Sequence, residues 1–343
     1  MIGKFAQNRT DLSVLVAAFE GYLVRERAPR TVRKYHAVLS DFERAFKGRA
    51  IHRIRAGDID GYLTQWAQAF QQRHGRLPKP VTIRNVISAL KAFFEYLDRL
   101  DYLTDQRGRA VKNPMNKIRL PKRACKPINW LKPDEDSALL ACPGSESERI
   151  VVWLLRHTGL RVGEALALRI SDFELQPGHE RLHVLASKTS AGIRTVPIAP
   201  ELVPRIHDWL DHLRSAGLYH PDTPFLCTKN GTAMQSTQIW RVVKRMAARA
   251  NVQVIGCTCG TSTANGHAHT CPRSVTGDNR SKVTPHTLRR TFASSLYNND
   301  LQLDRISKLL GHSSTRVTEE AYAALNGEKL EADYRNALRR RAA

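Results

Sequence analysis

The sequence contains no long hydrophobic run. Apolar stretches such as Ile150–Leu155 reach six residues, whereas a helix that crosses a bilayer needs roughly 18 to 20. The first residues, MIGKFAQNRTDL, also lack the apolar stretch of about 7–15 residues that marks a secretion signal. We therefore expect no membrane partner and a cytoplasmic protein.

Acidic residues are also few. The 343-residue chain has 32 Asp and Glu against 54 Lys and Arg, which gives a formal net charge of +22. The excess is spread over both halves of the chain and is not confined to a tail. Because neutralised phosphates release counterions, a charge of this size predicts a nucleic-acid partner.

Cysteine is also rare, with six residues in the chain. In a reducing cytosol we expect these cysteines to be thiols or metal ligands rather than disulfides. The hydrophobic content of 42% is sufficient for a buried core and excludes a disordered chain. The length favours two domains over one.

Two amphipathic patterns predict an all-helical N-terminal domain. The segment TVRKYHAVLSDFERAF, residues 31–46, spaces its apolar side chains by three and four, with Thr31 in position for an N-cap. A similar pattern runs from Ile83 to Leu97. We expect this domain to span residues 1–112.

The next segment, NPMNKIRLPKRACKPINW, predicts a linker over residues 113–130. It has three prolines, several basic residues and no acidic one. This composition favours an extended connector on a phosphate backbone. A connector that is merely solvated is the alternative.

A second domain is expected over residues 131–343. It opens with helical patterns, and RLHVLA (181–186) and IRTVPI (193–198) alternate β-branched residues across a short turn, which predicts a β-hairpin. Helical patterns dominate again afterwards. The predicted fold class is therefore mainly α with a small β-sheet or hairpin, that is, α+β.

Three side chains are candidates for phosphate binding. Arg161 lies at a helix start, where its guanidinium fork and the backbone N–H groups both suit a phosphate oxygen. A surface ion pair with Glu164 is the alternative. In PHTLRRTFASSL, residues 285–296, His286 and Arg289 project from one helical face. The ordinary reading of that pair is a capping histidine beside an exposed arginine.

Further candidates lie in the hairpin turn and near the C-terminus. Lys188 carries an ammonium with a pKa near 10.4, which attracts phosphate and can donate a proton, although a solvated turn residue is the alternative. In KLLGHSSTRVTEEAYAAL, residues 308–325, His312 precedes Tyr322 by ten positions. By itself, Tyr322 is either a packing aromatic or a nucleophile.

The order Arg, Lys, His-x-x-Arg, His, Tyr resembles the tyrosine site-specific recombinases of the phage integrase family. TGLRVGEALAL matches the first arginine box, SKTSAGIRTVPI the lysine hairpin, HTLRRTFAS the His-x-x-Arg box and LLGHSS the second histidine. The resemblance covers nearly the whole chain. It assigns six catalytic positions: Arg161, Lys188, His286, Arg289, His312 and Tyr322.

This resemblance implies both a fold and a reaction. A SAM-like helical core-binding domain and a mixed α/β catalytic domain are expected to enclose DNA as a C-shaped clamp. The Tyr322 phenolate attacks a phosphodiester, forms a 3′-phosphotyrosyl ester and releases a 5′-hydroxyl, and a second 5′-hydroxyl reverses the step. Arg161 and Arg289 bind the phosphate oxygens, and Glu164 orients Arg161.

The same resemblance gives the other roles and partners. Lys188 protonates the departing 5′ oxygen, His286 assists proton transfer, and His312 contacts the scissile phosphate. No cofactor is implied for catalysis. The expected partners are double-stranded DNA and a tetramer of the chain itself. The tail EKLEADYRNALRRRAA is expected to dock on a neighbouring protomer in that tetramer, with a frayed basic tail as the alternative.

Residues 252–283 stand where the family has a short loop, and they are rich in Cys and His. Five thiol or imidazole groups within 15 residues suffice for one tetrahedral Zn²⁺ with one ligand spare; they are Cys257, Cys259, His267, His269 and Cys271. A metal-free loop is the alternative, because the C-x-C and H-x-H spacings are tight and the neighbours are Gly, Ser, Thr and Asn.

The sequence is compatible with more than one function. The expected role is recombination or integration for a phage, transposon or other mobile element. A type IB topoisomerase-like or telomere-resolving enzyme would use the same chemistry. A non-catalytic DNA-binding protein of the same fold belongs to a different class.

Overall fold

The computed structural model describes residues 11–105, 107–122, 129–185, 192–252 and 283–311. These residues fall into two compact units, one within residues 1–126 and the other within residues 127–343. Among the described helices, none has the length and apolar character needed to span a membrane.

The first unit is helical and has an aromatic core. Its elements are α1 Leu12–Glu26, α2 Pro29–Ala45, α3 Ala56–His74 and α4 Pro80–Arg99, with 3₁₀ turns at Ile51–Arg53 and Pro114–Lys117. The rings of Phe19, Phe42, Phe93 and Phe94 are fully buried between these helices. Phe42 and Phe94 meet edge to face, an arrangement that aromatic quadrupoles favour.

The start of α2 differs from the sequence prediction. The N-cap is Ala28 and the helix begins at Pro29, so the prediction of Thr31 as N-cap is wrong. Proline has a fixed φ and no N–H to leave unsatisfied, which makes it a favourable first helical residue even without a side-chain cap. Thr31 instead lies in the first turn of the helix.

The beginning of the predicted linker packs against the helices of the first unit. Residues Pro114–Lys117 form a 3₁₀ turn, capped by the Asn113 side chain, which accepts a 2.9 Å hydrogen bond from the Met115 N–H. Met115 and Ile118 are buried in the first core. This stretch is therefore a folded turn and not the extended connector that its composition indicates.

The second unit is mixed α and β. Its elements are α5 Pro133–Ala141, α6 Glu146–Thr158, α7 Val162–Ala167, a 3₁₀ turn Ile170–Asp172, β1 Phe173–Glu174, β2 Arg181–Val184, β3 Arg194–Pro197, α8 Val203–Ser215, α9 Ser236–Arg249, α10 Pro285–Asn298 and α11 Leu303–Leu310. The predicted α+β class is confirmed.

The three strands form one antiparallel sheet in the order β1-β2-β3. Leu182 pairs with Val196 and Val184 pairs with Arg194, so alternate residues of β2 and β3 point to the core. The predicted hairpin is confirmed. The short strand β1 was not predicted, because two residues show no periodicity.

Helix α6 is the central element of the second unit. The Ser145 hydroxyl accepts the Glu148 N–H and the Glu148 carboxylate accepts the Ser145 N–H, which forms a capping box at its start. Its apolar run, including Val151 and Leu155, is buried against α8, α9 and α10. Helix α6 ends at Thr158, and the candidate site begins directly after it.

Candidate active site

A left-handed glycine turns the chain from α6 toward α7. Gly159 has φ of 60° and is the C-cap of α6. A Cβ at this position would overlap the Phe292 ring and lie 3.0 Å from Leu310 Cδ2. Only glycine fits both the backbone conformation and this close approach of α10 and α11.

Arg161 follows two residues later, as the N-cap of α7. Its Nη1 donates to Glu164 Oε1 at 2.6 Å, and its Nη2 donates to the Gly311 carbonyl at 3.0 Å. Its own backbone N–H donates to Glu164 Oε2 at 3.0 Å. The pair with Glu164 therefore exists, but it is joined to a larger network and leaves the Arg161 side chain 34% exposed.

The Glu164 carboxylate is the centre of that network. Its side chain is 3% exposed, and three guanidinium groups approach it, from Arg161 at 2.6 Å, Arg194 at 3.1 Å and Arg289 at 3.8 Å. Burial raises the pKa of Glu164, but the Arg161 N–H and the guanidiniums of Arg194 and Arg161 outweigh burial and lower it below 4.5. The carboxylate is therefore ionised at neutral pH.

Arg289 enters the same cluster from α10. Its Nη1 donates to the Gly159 carbonyl and its Nη2 to the Leu310 carbonyl, both at 2.6 Å. The side chain is 8% exposed. The two predicted arginines thus both approach one buried carboxylate, at 2.6 and 3.8 Å, although they are 128 positions apart in the sequence.

Arg194 completes the cluster from β3. Its Nη2 donates to Glu164, its Nε to the Leu309 carbonyl at 2.6 Å and its Nη1 to the Gly192 carbonyl at 2.8 Å. We call Arg161, Glu164, Arg194 and Arg289 the arginine–carboxylate cluster. Three positive groups and one negative group leave an excess of two positive charges in a partly buried site.

His286 lies one turn before Arg289, at the start of α10. This helix begins with reciprocal hydrogen bonds between Thr284 and Thr287, each 3.1 Å. Although the imidazole reaches the surface, partial desolvation and the positive charges of Arg289, Arg290 and Arg161 lower the pKa of His286 below 6.5. A neutral imidazole at pH 7 can accept a proton.

Three of the six predicted catalytic residues are therefore brought together: Arg161, His286 and Arg289. The other three, Lys188, His312 and Tyr322, lie outside the described residues. Their roles stay predictions. Gly311, the last described residue, directly precedes His312 in the sequence and contributes its carbonyl to Arg161.

Arg194 was not among the residues predicted from the sequence. A signal for it was present in IRTVPI, where the alternation that buries Val196 also points residue 194 toward the core. A charged side chain at an inward position requires buried partners. The pattern gave no indication of which partners, because Glu164 and Leu309 belong to other elements.

The predicted zinc ligands also lie outside the described residues; they are Cys257, Cys259, His267, His269 and Cys271. Within the described ranges, no group of three or more His, Cys, Asp or Glu side chains is arranged to hold a metal ion. The structural zinc stays a prediction. So does docking of the C-terminal tail.

The arginine–carboxylate cluster is suited to bind an anion and to stabilise a transition state that gains negative charge. A phosphodiester gains negative charge on its non-bridging oxygens when a fifth oxygen attacks. Preorganised guanidinium forks aimed at that charge stabilise it without reorganisation during the reaction. A neutral histidine beside the forks adds a group for proton transfer.

Comparisons with known proteins give matches over most of the chain. The model of the phage integrase family matches residues 129–329, and that of the phage integrase N-terminal SAM-like domain matches residues 16–100. A tyrosine recombinase from Thermosipho africanus is 24% identical over 323 residues, which is 93% of this chain and 98% of that relative.

Two solved structures share the fold. One is the XerH site-specific recombinase bound to palindromic difH substrate after cleavage, with a TM-score of 0.66, 18% identity and coverage of 90% of this chain and 80% of that chain. The other is the integrase of transposon Tn1549 with transposon right end DNA, with a TM-score of 0.64, 19% identity and coverage of 94% and 99%.

The fold and the matched domains define the class of protein as tyrosine recombinases, which break and rejoin DNA by transesterification through a tyrosine. The chain belongs to the phage integrase family, whose model covers more than half of its length. It is a site-specific DNA recombinase, and its substrate is DNA. Tyrosine recombinases need no cofactor for catalysis.

Proposed function

We propose that the chain cuts and rejoins specific double-stranded DNA sites through a 3′-phosphotyrosyl ester on Tyr322. The observation that carries the proposal is the arginine–carboxylate cluster. It gathers two of the residues that sequence order assigns to catalysis, Arg161 and Arg289, around one buried carboxylate.

In the proposed reaction, the Tyr322 oxygen bonds to phosphorus as the bond to the 5′ oxygen breaks. His286 accepts the phenol proton, and Lys188 gives a proton to the leaving oxygen. Arg161 and Arg289 hold the non-bridging oxygens, with His312 as a further donor. Attack by a 5′-hydroxyl then reverses each step, and no bond energy is lost.

The two units are proposed to have different functions. We propose that residues 1–112 form a core DNA-binding domain, residues 113–130 a linker that begins with the 3₁₀ turn packed on the first unit, and residues 131–343 the catalytic domain. The matches of separate family models to residues 16–100 and 129–329 support this division.

The active assembly is proposed to be a tetramer. Recombination of two duplexes requires four strands to be cut, and each covalent link uses one tyrosine, so four protomers supply the four nucleophiles. A palindromic substrate, as in the XerH complex, is consistent with a pair of protomers on each duplex.

We also propose a cytoplasmic enzyme that serves a mobile element. The similarity to a transposon integrase and the name of the matching family support the latter. The nucleic-acid partner that the net charge of +22 predicts supports the former.

A covalent-adduct assay tests the chemistry. Nicked duplexes tiled across the DNA that flanks the gene trap the ester, because the 5′ end leaves on a short fragment. Wild-type protein should give an SDS-resistant protein–DNA band. Tyr322→Phe should bind the same duplex without forming the band. Arg161→Lys, which loses the fork, should form it about 10²–10³-fold more slowly.

A two-site assay then separates recombination from related reactions. Exchange of strands between two duplexes supports the recombinase. Relaxation of supercoiled DNA without exchange would indicate a topoisomerase-like enzyme, and hairpin-ended products would indicate telomere resolution. Binding without any adduct in the wild-type protein would overturn the proposed chemistry altogether.

A further inference from the structure

Arg194 is a buried cation on the core side of a sheet. Its side chain is 7% exposed, and it shares the inward face of β3 with Val196. A guanidinium in that position costs free energy unless its N–H groups are satisfied. All three of its nitrogens donate to protein oxygens, those of Leu309, Gly192 and Glu164.

The Arg194 contacts belong to a repeated arrangement at the C-terminal end of α11. Three consecutive carbonyls accept hydrogen bonds there, Leu309 from Arg194, Leu310 from Arg289 and Gly311 from Arg161, at 2.6, 2.6 and 3.0 Å. The last carbonyls of a helix have no intrahelical partner, so they are natural acceptors for cations. Each of these arginines also approaches Glu164.

The three arginines are not equivalent. Arg161 is 34% exposed, and each of its terminal nitrogens carries a second hydrogen beyond the one that contacts protein. Arg194 is 7% exposed and is anchored in the sheet. Arg289 is as little exposed, at 8%, but it lies in the His-x-x-Arg motif that assigns it to phosphate binding, whereas Arg194 lies in no such motif. Because all three Arg194 nitrogens already donate to protein oxygens, its position suits a support for the other arginines better than a ligand for DNA.

We propose that Arg194 is a positioning residue for DNA cleavage, which fixes the Glu164 carboxylate and the end of α11 and thereby sets the orientation of Arg161 and Arg289. This inference rests on the proposed function of the cluster. A lysine cannot replace Arg194, because one ammonium cannot reach acceptors on α7, α11 and the Gly192 loop in the geometry of a planar fork.

The test compares Arg194→Lys with a matched control. Arg156→Lys changes another buried arginine in the same unit, whose side chain is 11% exposed and whose Nε and Nη2 contact Asp136 at 2.6–2.8 Å. Four variants are assayed on a nicked duplex that wild-type protein cleaves: Arg194→Lys, Arg156→Lys, Glu164→Gln and the double variant Arg194→Lys/Glu164→Gln. Single-turnover rate, adduct amplitude, DNA affinity and the urea midpoint are measured for each.

For Arg194→Lys we expect the single-turnover rate to fall on the order of 10- to 100-fold, because small misplacement of a catalytic group has effects of that size. DNA affinity should stay within about twofold of wild type, since the residue is not a DNA ligand. The rate loss of the double variant should be smaller than the product of the two single losses, because both changes disrupt the Arg194–Glu164 contact. Arg156→Lys should keep the wild-type rate.

Other results would overturn the inference. A loss confined to amplitude, equal to the unfolded fraction and matched by Arg156→Lys, would make Arg194 a stabilising residue only. Rate losses that multiply in the double variant would show that Arg194 does not act through Glu164. If Arg194→Lys does not fold, Glu164→Asp replaces it in the test, because the shorter side chain withdraws the carboxylate from Arg194 and keeps its charge. Glu164→Asp should slow the single-turnover rate at unchanged DNA affinity. An unchanged rate would contradict the proposal. Failure of wild-type cleavage would refute the proposed function instead.

Discussion

At the scale of single residues, the surroundings of His286 set its protonation state. Desolvation and three neighbouring guanidiniums disfavour the imidazolium form, which lowers the pKa of His286 below 6.5. The group is therefore neutral at pH 7, as a proton acceptor must be. A bound phosphate would oppose the arginines and raise the pKa again.

The direction of the His286 pKa shift can be measured by NMR. In protein with ¹³C-labelled histidine, the His286 resonance, identified by its loss in His286→Gln, should titrate with a midpoint below pH 6.5. Addition of a DNA duplex to Tyr322→Phe should move the midpoint upward. A midpoint at or above 6.5 in the free protein would contradict the electrostatic description of the site.

Gly159 gives a second prediction at this scale. Gly159→Ala combines a left-handed backbone with overlap of the Phe292 ring, and should lower the free energy of unfolding by about 2–5 kcal/mol. Gly217→Ala is the control, since Gly217 also has positive φ, 68°, but no atom within 4 Å of the added Cβ. It should lose only about 1–2 kcal/mol. Equal losses in urea unfolding would show that the packing around Gly159 is unimportant.

At the scale of elements, Thr291 joins the beginning of the second unit to α10. Its hydroxyl accepts the Leu131 N–H at 2.9 Å and donates to the Thr287 carbonyl at 2.9 Å. Thr291→Val keeps the shape but leaves a buried N–H unpaired, which should lower the free energy of unfolding by about 1–3 kcal/mol. Amide exchange of Leu131 should become faster in this variant.

Thr291→Ser is the matched control for that change. It keeps the hydroxyl and should keep the Leu131 amide protected from exchange. If the Leu131 amide exchanges equally fast in the Val and Ser variants, the hydroxyl does not hold the segment before α5 against α10.

The elements also show what a sequence can and cannot predict. The helix over α2 and the β2–β3 hairpin were predictable, because spacing of three and four or alternation by two is a local property. The N-cap at Ala28 and the 3₁₀ turn at Pro114 were not predictable. In each case the observed backbone conformation and the predicted one are close in energy, so the local sequence does not decide between them.

The candidate site divides in the same way. Arg161 and Arg289 were identified from their motifs, and the Glu164 contact was expected. Arg194 was missed, because its partners Glu164 and Leu309 lie 30 and 115 positions away. Contacts across such distances are set by packing of several elements and leave no periodic signal in one sequence.

At the scale of the whole molecule, the net charge of +22 predicts strongly salt-dependent binding. Log K for a random duplex should fall linearly with log salt concentration. For about six to ten phosphate contacts, affinity should decrease about 10³- to 10⁵-fold between roughly 50 and 200 mM salt. Fluorescence anisotropy of a labelled duplex measures the slope, and affinity independent of salt would contradict a binding mode based on phosphate contacts.

The proposed reaction requires one particular tyrosine, Tyr322, to attack the DNA. Trypsin releases Tyr322 in the peptide VTEEAYAALNGEK, residues 317–329. A second tyrosine after His312, Tyr334, is released in LEADYR, residues 330–335. Mass spectrometry of nuclease-treated adduct from a nicked duplex therefore identifies the linked residue. We expect a nucleotide on residues 317–329; a nucleotide on LEADYR or on any other peptide would show that Tyr322 is not the nucleophile.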